Sequence, residues 1–460
     1  MNVAAMNIFN PMNFGAIADG LTPATAAIQK AIDACAAAGG GMVYVPPGRY
    51  LIGPVYLKSH VNLHIEAGAI LLGSPNKRDY KIVTRRLAGK VQPTIEALIN
   101  GDDLQHVSIT GRGTIDGQGE TFWGPIMAFL RTPKDQRPDW SHMAPESEEY
   151  IYGTPFARAR LVEIQRCRNV LIEGVTLQNS GFWNLNPMFC ENVVIHGVTL
   201  YNPEGLAPNG DGMDINSCRN VRISDCFVDV NDDCICLKSG WNEGGFPTEN
   251  VTITNCITRG GHGGVTIGSD MSGGVRNVTV SNCVFHGTDI GIRFKTMRGR
   301  GGVVENILFS NIVMDGVREA ISMDMHYWRP MPAGPATEQT PRFRNIRLHQ
   351  VDAANSKEAG FWHGLEEMPI EEVTLDSVRI QSQTPLRIRH ARALNFRHLR
   401  LECPTAPELI LEDVSDVSIE RFHAAANRAA GPAIRLVRTE HVSVEGCFAP
   451  GAGENPVQNG

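Results

Sequence analysis

What this sequence lacks narrows the field first. None of its 460 residues form a run of about 20 apolar positions, so no helix is expected to cross a bilayer. There is no basic excess. The 42 Lys and Arg are outnumbered by 49 Asp and Glu, and a net charge of −7 argues against a nucleic-acid partner. A polyanionic sugar is not excluded, because a few well-placed cations can make a local positive site. Nor is there an even set of cysteines. Eleven are scattered from Cys35 to Cys447, which fits no small disulfide framework and points to a reducing compartment. The opening residues, MNVAAMNIFNPMNFGAIADG, lack a basic segment followed by a long apolar one. The expectation is a cytoplasmic protein, or an exported one whose signal was removed. Oligomeric state is left open.

What is present is a repeat. Runs of the form Asn-Val-x-Ile begin at Val170, Val193, Val221, Val251, Val278, Ile307, Ile346, Val373, Phe396, Val417 and Val442, with earlier copies at Leu63 and Val107. Most intervals fall between 21 and 30 residues. Each copy alternates apolar and polar positions, then turns, then offers a second β-rich run, which is strand periodicity. Such units are too short for a strand-helix-strand crossover with its own core, but stacked as coils they bury one continuous interior. The reading is a single parallel β-helix over residues 1–460, preferred to a β-sandwich because an Asn recurs at one phase of the unit (Asn169, Asn192, Asn220, Asn250, Asn277, Asn306, Asn345, Asn395). Asn tolerates the left-handed backbone of a tight bend, and stacked amides can bond from coil to coil. Cys226, Cys256 and Cys283 share a phase and read as a buried column. Cys234-x-Cys236 has no second pair at metal-ligand spacing, so neither a metal nor a cofactor is expected.

Two segments break the pattern. Residues 21–40 read as one helix, with Thr22 as N-cap and Pro23 in the first turn, suited to cap the end of the stack. Residues 117–160 form a long irregular insertion carrying Phe122, Trp123, Trp140, Tyr150 and Tyr152, enough bulk to wall one end of a groove.

The chemistry concentrates in four strings: Asn209-Gly210-Asp211, Asn231-Asp232-Asp233, Gly261-His262-Gly263 and Arg293-Phe294-Lys295. Asp211 and Asp232 lie 21 residues apart, about one coil, and Asp232 and His262 each fall 11 residues after their register Val. A coil advances only ~4.8 Å, so matching phases form a column. A carboxylic acid beside a leaving oxygen, with further carboxylates to activate water, is what glycoside hydrolysis needs. Carboxylates this close cannot all stay ionised cheaply, which would raise one towards a useful acid. Arg293 and Lys295 alternate along a strand and share a face, suited to grip a substrate carboxylate.

These motifs, with the stretches FGAIADG, NDDCICLKSG and GGHGGVTIGSDMSGGVRNV, resemble glycoside hydrolase family 28, the polygalacturonases, and most closely its bacterial exo-acting members. The resemblance covers nearly the whole chain. It implies a right-handed parallel β-helix and inverting hydrolysis of the α-1,4-galacturonosidic bonds of pectin, with an acidic, galacturonate-containing polysaccharide as partner. It implies Asp232 as general acid, Asp211 and Asp233 holding the attacking water, and His262 tuning the acid. Arg293 and Lys295 would grip the leaving-group galacturonate, with Asn209, Tyr327 and Arg158 as further substrate contacts. Gly210 stands where the family usually has Thr, Phe294 where it has Ile, and Asn186 where many members have His. Inversion predicts Asp211 or Asp233 at ~6.5–9.5 Å from Asp232. The rivals are another pectin-backbone hydrolase of the family, a calcium-dependent lyase, and a non-catalytic sugar-binding solenoid.

Overall fold

The computed structural model describes residues 7–87, 90–203, 207–240, 246–327, 332–425, 429–453 and 455–460. The fold is the right-handed parallel β-helix. The chain divides into two compact units, Met1–Asp233 and Cys234–Gly460, each taken in turn.

In the first unit the rungs are columns of like residues. Val107, Val170, Val193 and Val221 stand in register, and so do Ile109, Ile172, Ile195 and Ile223. All are buried, and each burial contributes roughly 1.5–3 kcal/mol. The Asn positions do what the repeat predicts. Asn169, Asn192 and Asn220 have φ of 57°, 58° and 57°, and the Asn192 amide donates to Asn169 while that of Asn220 donates to Asn192, at 3.0 and 3.1 Å. A second column, Cys167, Cys190 and Cys218, follows each rung's end and was not singled out from the sequence; the Cys190 amide donates to the Cys218 sulfur at 3.4 Å.

Helix α1 spans Thr25–Ala37 and buries Ile28, Ala31, Ile32 and Cys35. It starts later than the expected residue 21. Thr22 is no cap: it ends up in the strand Asp19–Pro23, where its hydroxyl donates to Asp19 at 2.8 Å. The insertion, expected to be irregular throughout, carries two helices: α2 spans Glu120–Arg131 and α3 spans Glu148–Gly153. Of its aromatics, Phe129, Trp140, Tyr150 and Phe156 form one group of ring contacts, while Phe122 and Tyr152 meet Tyr80.

The second unit repeats the construction over longer strands. Val251, Val278, Ile307, Ile346 and Val373 form one buried column. The Asn ladder continues from Asn277 to Asn250, Asn306 to Asn277 and Asn345 to Asn306. Asn395 is the exception. The left-handed residue of that coil is Ala393, and Leu394 pairs with Val417, so the repeat beginning at Phe396 was set two residues late. Phe294 points inward onto Phe309 and Phe343, which explains an aromatic in place of Ile. The eleven cysteines are free thiols, and Cys256 and Cys283 are buried as the column reading requires.

Candidate active site

In the first unit, the turn before the strand Met213–Asn216 carries Asp211, and the start of the next strand, at Asp233, carries the doublet. Ligand oxygens of Asp211, Asp232 and Asp233 all lie within 4.8 Å of one another. The expected 6.5 Å minimum is therefore not met between nearest oxygens. The cause is the coil pitch: the Gly212 amide donates to the Asp233 carbonyl at 2.9 Å, which brings the Asp211 turn within one rung of the doublet. Asp211 and Asp233 are buried, while Asp232 is half-buried and accepts from the Asp233 amide at 2.9 Å.

Asn209 sits at φ 55°, the left-handed region that Asn tolerates. Arg158 holds this turn. Its guanidinium donates to the Asn209 side-chain oxygen at 2.8 Å and to the Pro208 carbonyl at 2.5 Å, and it stacks 4.5 Å from the centre of the Phe182 ring. Burial pulls the guanidinium down to about 10, and the charges of Asp211 and Asp232 oppose that fall, so Arg158 is a cation at neutral pH. Arg158 is 9 % exposed and braces the turn that carries Asn209 and Asp211. Gly210 has a local reason too: a Cβ there would meet the Asn202 amide nitrogen at 2.5 Å, so a larger residue would require that side chain to shift. From the insertion, Trp123 and Ile126 pack on Ala207, two residues before Asn209.

A second element of the first unit escaped the sequence reading. The strands Ile82–Leu87 and Lys90–Ile95 form an antiparallel hairpin. Arg85 donates from Nε to Glu163 at 2.7 Å. Glu163 stands in register with Asn100 and Asn186 on the outward row of successive strands, yet it is buried. It also pairs with the buried Arg160, and accepts from Gln165 at 2.6 Å and from Asn186 at 3.5 Å. Asn186 is thus tied into this network. The one sequence signal was Arg160-x-x-Glu163, too common a spacing to single out.

In the second unit, His262 is exposed, and its carbonyl accepts from Arg293 at 3.4 Å. Arg293 and Lys295 share the outward face of the strand Ile290–Lys295, as their alternation predicted. Tyr327 joins them: its ring centre lies 5.6 Å from the Arg293 guanidinium and 5.2 Å from the Lys295 ammonium. Tyr327 is therefore part of the cationic cluster.

A parallel β-helix with three clustered carboxylates fits the class of solenoid enzymes that act on polysaccharides. The sequence model of glycosyl hydrolases family 28 matches residues 35–394, and the chain belongs to that family. It is a glycosidase. It is similar to a probable polygalacturonase of Vitis vinifera, 30% identical over 80% of this chain and 73% of the relative. It also resembles an exo-poly-alpha-D-galacturonosidase of Dickeya chrysanthemi, 28% identical over 70% of this chain but 58% of that longer protein. Among solved structures, a hyperthermoactive exopolygalacturonase from Thermotoga maritima superposes with a TM-score of 0.76 at 29% identity, covering 85% of this chain and 91% of the other.

Proposed function

We propose that the protein is an exo-acting galacturonan hydrolase that releases mono- or digalacturonate from the non-reducing end of pectic chains. The observation that carries this is the three-aspartate cluster, with one carboxyl reachable and two buried. Asp232, the reachable one, protonates the leaving oxygen. Asp211 and Asp233 hold the attacking water: two hydrogen bonds of ~2.8 Å can span their separation through one shared molecule. The close spacing is thus compatible with inversion through a shared water, and the first-formed product from an α-linked substrate should be the β-anomer. His262 tunes the acid, Arg293 and Lys295 bind the leaving-group carboxylate with Tyr327 beside them, and Asn209 and Arg158 contact the terminal sugar.

Chain-end action rests on the hairpin. Arg85, Glu163 and Arg160 cover outward positions that an open groove would leave for sugar. The test pairs chromatography of products from homogalacturonan with viscometry. Mono- or digalacturonate should appear from the first minutes while viscosity falls slowly. A steep viscosity drop with few new reducing ends would end the exo reading, and cleavage of rhamnogalacturonan alone would move the substrate.

A further inference from the structure

The outward row that begins at Arg293 does not stop there. In register on successive strands of the second unit stand Arg293, Ser322, Phe361, Arg387, Ile410 and Arg435. Arg387 is three rungs from Arg293 and Arg435 is five, so at ~4.8 Å per rung they lie roughly 14 and 24 Å along the face. Both are exposed, and neither has an ion pair or hydrogen bond among the described residues. Their neighbours behave differently. Arg389 faces Asp413 at 3.6 Å, and Arg438 is held by Asp413 and Glu412 at 2.6 and 2.7 Å. Between Arg293 and Arg387 lies Phe361, half-buried, its ring 5.1 Å from that of His363. An aromatic surface between cations suits a ring with an apolar C–H face and a carboxylate edge.

We propose that this row is a binding rail for the galacturonate residues on the leaving-group side of the scissile bond, with Phe361 packing against a sugar and Arg387 and then Arg435 pairing with successive carboxylates. The inference rests on the galacturonan reading above. Solvated surface arginines would be the ordinary alternative, but they have no reason to share one register with Arg293.

The test is a chain-length series. The ratio kcat/KM is measured from digalacturonate to octagalacturonate for the natural protein, Arg387→Ala, Arg387→Lys and Arg435→Ala, at low salt and in ~1 M salt, where the screening length shrinks to ~3 Å. In the natural protein kcat/KM should climb with length. Arg387→Ala should cut that climb ~10-fold, the worth of ~1.4 kcal/mol. Arg387→Lys should keep part of it, and Arg435→Ala should cost ~3-fold on the longest chains only. High salt should flatten the natural series. An unchanged climb in Arg387→Ala overturns the rail, as does a loss by the same factor at every length. If the natural protein cleaves no oligogalacturonate at all, the functional reading itself falls.

Discussion

The two units treat the outward row of their coils in opposite ways. In the first, Asn100, Glu163 and Asn186 are buried, and Glu163 is paired both with Arg85 of the hairpin and with Arg160. In the second, the row continues past Arg293 to Arg387 and Arg435, both exposed and without an ion pair among the described residues. One row is closed by the chain itself, and the other is open to solvent.

The sharpest way to break this division is at the acid. Asp232→Asn should fold normally and lose turnover by at least ~10²–10⁴-fold, the usual worth of general acid catalysis. A variant keeping more than a tenth of the rate would show that the proton comes from elsewhere.

The next effect separates the closed row from the open one by stability. Glu163→Ala leaves the buried Arg160 without its carboxylate and should cost about 3–5 kcal/mol, read as a lower urea midpoint. Arg435→Ala, on the exposed face, should stay within about 0.5 kcal/mol. Equal shifts would mean that the hairpin covers nothing of consequence.

How far these features were legible in the sequence follows from their range. The Asn ladder could be read because each Asn meets a purely local need, a left-handed bend, repeated in every coil. Where Ala393 met that need the register slipped by two, although it held at Glu372, Asp416 and His441, which bend the same way. The clustering of the three aspartates was legible because a one-coil spacing brings matching phases together. Arg85 and Glu163 lie 78 positions apart, and no periodicity links them. Thr22 looked like a cap because the local pattern cannot show that Asp19 already claims its hydroxyl.

A smaller effect concerns pH. Burial raises Glu319, in the second unit, from an ordinary value of 4.5 to about 7, against the lowering influence of the Phe361 amide and Arg318. With the folded value above the unfolded one, its contribution to stability is complete below about 4.5 and is lost as pH rises through about 7. The loss is at most about 3 kcal/mol. Glu319→Gln should flatten the stability profile of the protein between those values, and a profile that keeps its slope would assign the effect to another group.

The smallest expected effect is none at all, and it tests the rival chemistry. Three carboxylates with oxygens within 4.8 Å have donors that suit a hard cation, and a lyase would use one. Two features point the other way. The Arg158 charge already acts on Asp211 and Asp232, and a general acid must keep a proton that a bound divalent ion would displace. Dialysis against EDTA should therefore leave the rate of reducing-end release unchanged. Loss of activity restored by Ca²⁺, with an unsaturated product absorbing in the ultraviolet, would convert the cluster into a lyase site. Loss without that product would leave a hydrolase but remove Asp232 from the role of acid.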